Sequence, residues 1–300
     1  MSVQTVLPKA RLTEPARTTS RLRSRRHSAW TRVVQPIVVI VLCIVAVGIP
    51  LWLALITSAK SQGEANLPDL SLPTQWHLFD NYAQAFSQGE VWRGLLGSLL
   101  VMVPAVIGVI LFGSLAAWIL ARRSGRWVAV LYAAAISGLI LPPAVVTIVL
   151  LLRQLGLAGT ASGMIFVYMG MYMSIVIFFI TGFVRTIPIE LEEAARIDGA
   201  KPLKIFFTII LPLLRPVIAT ATILVCLYIW NDVFYSFFVL GGGSTTTLQL
   251  NLFQIASSNL YQNNWNLIFA YVVISSLPLL IVFIFAQRRI ISGITGGAVK

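Results

Sequence analysis

The chain has 300 residues, of which 58% are hydrophobic and only 11% charged, with a formal net charge of +12 and a mean hydropathy of +0.87. A soluble domain carries about 25% charged residues, so a water-soluble fold is excluded. The apolar residues fall in runs of roughly twenty or more, the length that crosses about 30 Å of hydrocarbon. The basic excess has no aromatic-rich face beside it, which argues against nucleic acid as a partner and fits contact with anionic lipid headgroups.

Residues 1–32 form a basic tail with Lys9, Arg11, Arg17, Arg21, Arg23, Arg25, Arg26 and Arg32. It reads as a disordered cytoplasmic segment facing lipid. It is too long for a signal peptide, and its charges run up to an apolar stretch longer than a cleavable core. From there hydropathy predicts a six-helix domain over 33–288, with spans Val33–Thr57, Gly94–Ala121, Trp127–Leu152, Ala161–Val184, Pro212–Val239 and Leu267–Gln287. Helices are required because an open sheet leaves backbone N–H and C=O groups unpaired in lipid. The alternating pattern of a lipid-exposed barrel is absent. Residues 289–300 read as a short cytoplasmic tail.

The loops between spans carry the orientation. With six crossings, 19 of the 22 Lys and Arg residues fall on the side of the termini, and only Lys60, Arg93 and Arg153 fall opposite. An excess of Lys and Arg marks the cytoplasmic face, so both termini are expected inside a cell-membrane protein. The first outer segment, Ser58–Arg93, holds Pro68, Pro73, Trp76, Asp80, Asn81 and Tyr82, and reads as a cap over helix ends. The later outer segment, Gly241–Asn266, has no charged residue but many amides and hydroxyls, among them Ser244, Gln249, Asn251 and Gln254. It is either a contact for a protein or a sugar, or a flexible connector.

Within the spans, Pro104, Pro142-Pro143 and Pro278 each remove a backbone donor and predict kinks. Cys43 and Cys226 lie in apolar runs without metal-ligand spacing, and neither His27 nor His77 has a second ligand nearby; no metal site is expected. The sharpest polar feature is Trp230-Asn231-Asp232, because Asp232 is the only carboxylate within the six spans. A charge at the centre of a span costs about 2.5–3.5 kcal/mol on insertion scales, less near the interface. Such a residue faces the bundle interior or a watery cavity, or snorkels to the outer surface. Trp230, Asn231 and Asp232 are therefore the candidate translocation-path residues.

Between the fourth and fifth spans the chain leaves the membrane, from Thr186 to Pro212. Pro188 suits a helix start, and Glu190, Glu192 and Glu193 place negative charge at its positive end. Glu192 and Arg196 form an i,i+4 pair. Gly199 suits a left-handed stop, and Pro202 prevents continuation. The spacing predicts a helix of roughly eleven residues, short for independent stability. A helical wheel puts Leu191, Ala194 and Ala195 on one face and Glu192, Glu193 and Arg196 on another. The small alanines either admit a partner or rest on the chain's own bundle.

Glu193-Ala194-Ala195, Gly199, Ile209 and Leu211-Pro212 together resemble the EAA loop of ABC importer permeases, in position as well as spacing. The Trp230-Asn231-Asp232-Val233-Phe234 run, the short first outer segment and the end Gln287-Arg288-Arg289 with Gly293 to Lys300 are similar to the carbohydrate branch, specifically the smaller maltose-type permease subunit. The Arg-rich tail departs from that pattern. The resemblance implies an all-α polytopic permease with six transmembrane helices and a cytoplasmic coupling (EAA) helix between spans 4 and 5. It implies a second homologous permease, two ATP-binding cassette ATPase subunits, an extracytoplasmic solute-binding protein and a sugar substrate, working by alternating access. It makes Glu193, Ala194, Ala195, Asp198 and Gly199 the expected ATPase-docking residues. The chain has no G-x-x-x-x-G-K-[ST] phosphate loop, so it is expected to bind no cofactor, and ATP is used by the partner subunit.

Two other classes compete. A stand-alone ion-coupled transporter using Asp232 calls for midplane charges and repeated halves, and the sequence offers one off-centre carboxylate. A membrane-embedded enzyme calls for clustered nucleophiles or acid–base groups at membrane depth, and none is found.

Overall fold

The computed structural model describes residues 29–88, 90–258 and 264–298, which are helical throughout apart from turns and connections. The basic tail before Ala29 lies outside the described residues, as do Asn259, Gln262 and Asn263 of the neutral outer segment. The chain divides at Pro50 into a small N-terminal unit and a large one, Leu51–Lys300.

Among the described residues, four helices are long and apolar enough to cross a membrane alone: α1 (Val34–Thr57), α3 (Val91–Arg122), α6 (Ala161–Val184) and the apolar part, Trp265–Ile284, of the last helix. These correspond to the first, second, fourth and sixth expected spans. The last helix, α12, runs through the expected tail, from Trp265 to Ala298. The other two expected spans are broken. Where one helix was expected over Trp127–Leu152, two short ones stand, α4 (Arg126–Ser137) and α5 (Val145–Gln154). The break holds Pro142-Pro143: a second consecutive proline deprives the helix of donors in one turn and forces the preceding residue extended, so a break replaces the expected kink.

The segment expected as the fifth span belongs to a bent pair of helices that begins earlier, at Pro202. Helix α8 (Pro202–Leu213) meets α9 (Arg215–Trp230) at 78°, with Leu214 buried in the corner. Pro202 sits at the start of α8, where a missing N–H costs nothing. Pro212 and Pro216 flank the corner, and Pro216, in the first turn of α9, needs no intrahelical donor there. After a second break at Asn231–Val233, α10 (Phe234–Leu240) follows. Helix α2 (Leu78–Gln88) and α11 (Leu248–Ser258) belong to the connecting segments.

The core lies between α3 and α6, with α9 added to both. A side chain at Gly113 would collide with Val176, at 2.7 Å from its nearest methyl. The absent Cβ lets the backbones approach, as at small-residue contacts in membranes. A second cluster joins Val91 of α3, Trp230 of α9 and Tyr271 of α12.

Two of the segments expected on opposite sides of the membrane meet opposite ends of α3. Arg122, at one end of α3, touches the 186–212 loop. At the other end, Ser98 accepts from the Leu248 N–H at 2.8 Å. The Ser58–Arg93 segment forms the expected cap: Asn81 donates to the carbonyls of Ser58 and Lys60 and accepts from Asn266 of α12.

Candidate functional site

The loop of interest is built on a helix of eight residues, α7, Glu190–Ile197, shorter than the eleven expected. Ile187 is buried beneath the turn that precedes it, which commits Pro188 and Ile189 to the approach rather than to the helix. Asp198 closes the end, and Gly199 has φ +79°, the left-handed stop read from the sequence.

The side that α7 buries follows neither face of the helical wheel, taking Glu192 from one and Ala195 from the other. Glu192 is 0% exposed, whereas Leu191 and Ala194 point outward and Ala195 is half-buried against the core. An isolated buried carboxylate costs several kcal/mol, so its partners decide the orientation. They come from α3: Trp118 Nε1 donates to Glu192 at 3.1 Å and Arg122 Nε at 2.6 Å. The Arg122 guanidinium also donates to the Ile187 carbonyl at 2.8 Å. Arg196, the expected i,i+4 partner, stands farther off at 3.7 Å with its side chain mainly in solvent. Trp118 in turn packs against Phe206 of α8 at 5.6 Å between ring centroids.

Four of the five expected docking residues, Glu193, Ala194, Asp198 and Gly199, are exposed, and Ala195 is the one that faces the bundle. Ile197 stands 86% exposed in their midst, with Leu203 at 60%. The α7 segment thus presents small, acidic and apolar groups outward while a charged pair holds it from behind. Ile209 and Leu211, which belong to the same sequence pattern, pack against the core.

Trp230, Asn231 and Asp232 diverge. Trp230 is buried, its indole N–H donating to the Ser275 carbonyl of α12 at 3.1 Å. Asn231 is exposed and donates to its own helix at the Leu227 carbonyl. Asp232 sits in the break between α9 and α10 and accepts from the N–H groups of Tyr235 (3.1 Å) and Ser236 (3.0 Å). It also accepts from the Tyr168 hydroxyl at 2.8 Å. A helix start leaves its first N–H groups without partners, and Asp232 supplies them from the side, as a capping residue does. That explains a carboxylate at this depth without a mobile ion. Tyr168 continues a stack through Tyr172 to Tyr228, with centroids 5.9 and 5.7 Å apart.

At the opposite end, Glu90, Arg93, Gly242, Ser244, Asn251 and Gln254 help to line a polar cleft of about 190 Å³. The neutral segment is no plain connector, since α11 forms within it.

Residues 109–295 match the family described as binding-protein-dependent transport system inner membrane component. The chain belongs to this family. It is 34% identical to the melibiose/raffinose/stachyose import permease MelC of Bacillus subtilis over 277 residues, covering 90% of this chain and 96% of that protein. It is 32% identical to the diacetylchitobiose uptake permease NgcG of Streptomyces coelicolor, over 87% of each. A bacterial ABC transporter that imports the acidic polysaccharide alginate has a chain of the same fold, at a TM-score of 0.73 and 22% identity, covering 87% of this chain and 98% of that one. This chain is therefore an inner-membrane transport component.

Glu192 is the residue whose closest partners sequence reasoning missed, since it paired the carboxylate with Arg196 alone. The available signal was Trp118 with Arg122, two hydrogen-bond donors one helical turn apart at one end of an apolar helix, where a buried partner is required.

Proposed function

We propose that the chain is the permease subunit of an ATP-driven sugar importer, forming half of the path with a second permease. The observation that carries this reading is α7: an exposed polar helix with Glu193, Ala194, Asp198 and Gly199 outward, held from behind through Glu192. Such a helix offers a separate protein a firm surface, and here that protein is one of two ATPase subunits. A binding protein delivers the sugar at the opposite face, where the polar cleft around Ser244 and Asn251 lies. Oligosaccharides built from neutral hexoses, of the kind named for MelC, are the substrate class.

The chain crosses the membrane six times in this reading, with both termini cytoplasmic. Helices α4 and α5 serve in series as the third crossing, about 33 Å of helix end to end. The α8–α9 pair supplies the fifth, with α8 lying along the inner face before the bend.

A stand-alone ion-coupled carrier is not favoured, because hydrogen bonds within the protein already account for Asp232. The test is co-purification of the full chain from membranes, followed by binding of melibiose, raffinose and diacetylchitobiose to the co-purifying binding protein. A second permease, an ATPase and a sugar-retaining binding protein are expected. Sugar uptake by this chain alone, without ATP, would overturn the reading.

A further inference from the structure

Two features of the Glu192 cluster call for more than a docking surface explains. Arg122 grips α7 twice, through the Glu192 carboxylate and through the Ile187 carbonyl just before the helix, and it is itself only 14% exposed. Buried ion pairs of this kind contribute little net stability compared with an apolar pair of similar volume, so the geometry of this one, with two directional contacts from one guanidinium, is its distinguishing feature. An eight-residue helix cannot hold its own position, so the hydrogen bonds from α3 decide where α7 stands.

The second feature is where α3 goes. It is one continuous helix of 32 residues, unbroken at Pro104, and about 48 Å long. Its inner end carries Trp118 and Arg122. Its outer end carries Arg93, at the polar cleft, and Ser98, which holds the Leu248 N–H. The same rod touches the inner helix at one end and the outer segment at the other.

We infer that Glu192, Arg122 and Trp118 form a positioning joint through which α7 and the inner end of α3 move as one body, so that displacement of α7 by a nucleotide-driven partner reaches the outer cleft along α3. The inference rests on the proposed docking of α7. Coupling of this kind requires an element whose arrangement both ends bias, and a helix clamped at each end is such an element.

The test uses the full importer in lipid nanodiscs, with Cys43 and Cys226 replaced by alanine. Spin labels are placed at Glu190 and Ser124, both exposed, and a thiol at Ser244→Cys reports on the cleft. With the native joint, the label distance is expected to be the same in the nucleotide-free and ATP–vanadate-trapped states, while maleimide labelling of S244C differs between them. In the double variant Glu192→Met/Arg122→Met the label distance should change between states, and the nucleotide-dependent difference at S244C should be lost. If that variant does not assemble, Arg122→Lys, which keeps the charge but not the two-point grip, is read in the same way. A native label distance that changes with nucleotide overturns the joint. So does a variant that keeps both the constant distance and the S244C response. An importer whose native chain retains no ATPase overturns the docking reading and the joint with it.

Discussion

At the residue scale, two side chains separate geometry from chemistry. Gly199 stands at φ +79° with open space where a Cβ would lie, so a substitution there strains the backbone rather than the packing. Asn tolerates this region and a β-branched residue does not, at a cost of about 1–3 kcal/mol. Gly199→Asn is expected to keep most ATP-driven uptake, measured with the sugar that the binding protein retains. Gly199→Val is expected to lose it by roughly 5- to 30-fold, the factor that one to two kcal/mol commands. Equal losses would assign the position to size instead. Asp232 gives the second contrast. Asp232→Asn retains an oxygen for the first turn of α10 and should transport near the native rate. Asp232→Ala removes the cap, worth about 1 kcal/mol, and leaves the Tyr168 hydroxyl without its carboxylate; its melting temperature should fall in detergent. Loss of transport in the Asn variant with unchanged melting would restore a charge-dependent role for Asp232.

At the element scale, the apolar runs made four spans legible, because a long hydrophobic helix in lipid has no competing structure. The two broken spans were not legible. Pro142-Pro143 announced a disturbance, but whether a proline kinks or breaks a helix depends on which neighbours satisfy the freed carbonyls, and those neighbours are distant in sequence. The α8–α9 corner is set by burial of Leu214, which no local pattern marks. Helix α7 was found from Pro188, the glutamates and Gly199, yet the side it buries was left open, since the partners of Glu192 lie 70 and 74 residues earlier. The outer cap offers a pH test. The Lys60 ammonium, 2% exposed, binds the Asp69 carboxylate, which is 61% exposed. Hydrogen bonds from Lys60 and then Ser71 hold the Asp69 carboxyl below its ordinary value of 3.8. A depressed carboxyl stabilises above its unfolded value and ceases to as pH falls through the folded one. Amide exchange over residues 60–74, corrected for intrinsic rate, should therefore rise only below about pH 4, and Asp69→Asn should show the faster exchange already at pH 7. Because Asp69 is exposed, the effect should weaken in high salt.

At the scale of the whole molecule, a bundle that spends charge so sparingly places a carboxylate, a guanidinium and an indole N–H together at the root of one small helix. Apolar packing would hold α7 at lower desolvation cost, and directional contacts from one guanidinium are what the polar joint adds. The outward side of α7 and the start of α8 then need a partner, since Ile197 and Leu203 are bare while α7 is firmly held from behind. The central claim is that this partner is an ATPase on the inner face of the membrane. It is tested most directly by the reaction of Ile197→Cys with a membrane-impermeant maleimide, in intact cells and in inverted vesicles with and without the ATPase subunit. The expected result is no reaction in intact cells, rapid reaction in vesicles stripped of the subunit, and protection when it is restored. Reaction from the outside of intact cells, or equal reaction with and without the ATPase, would contradict the account.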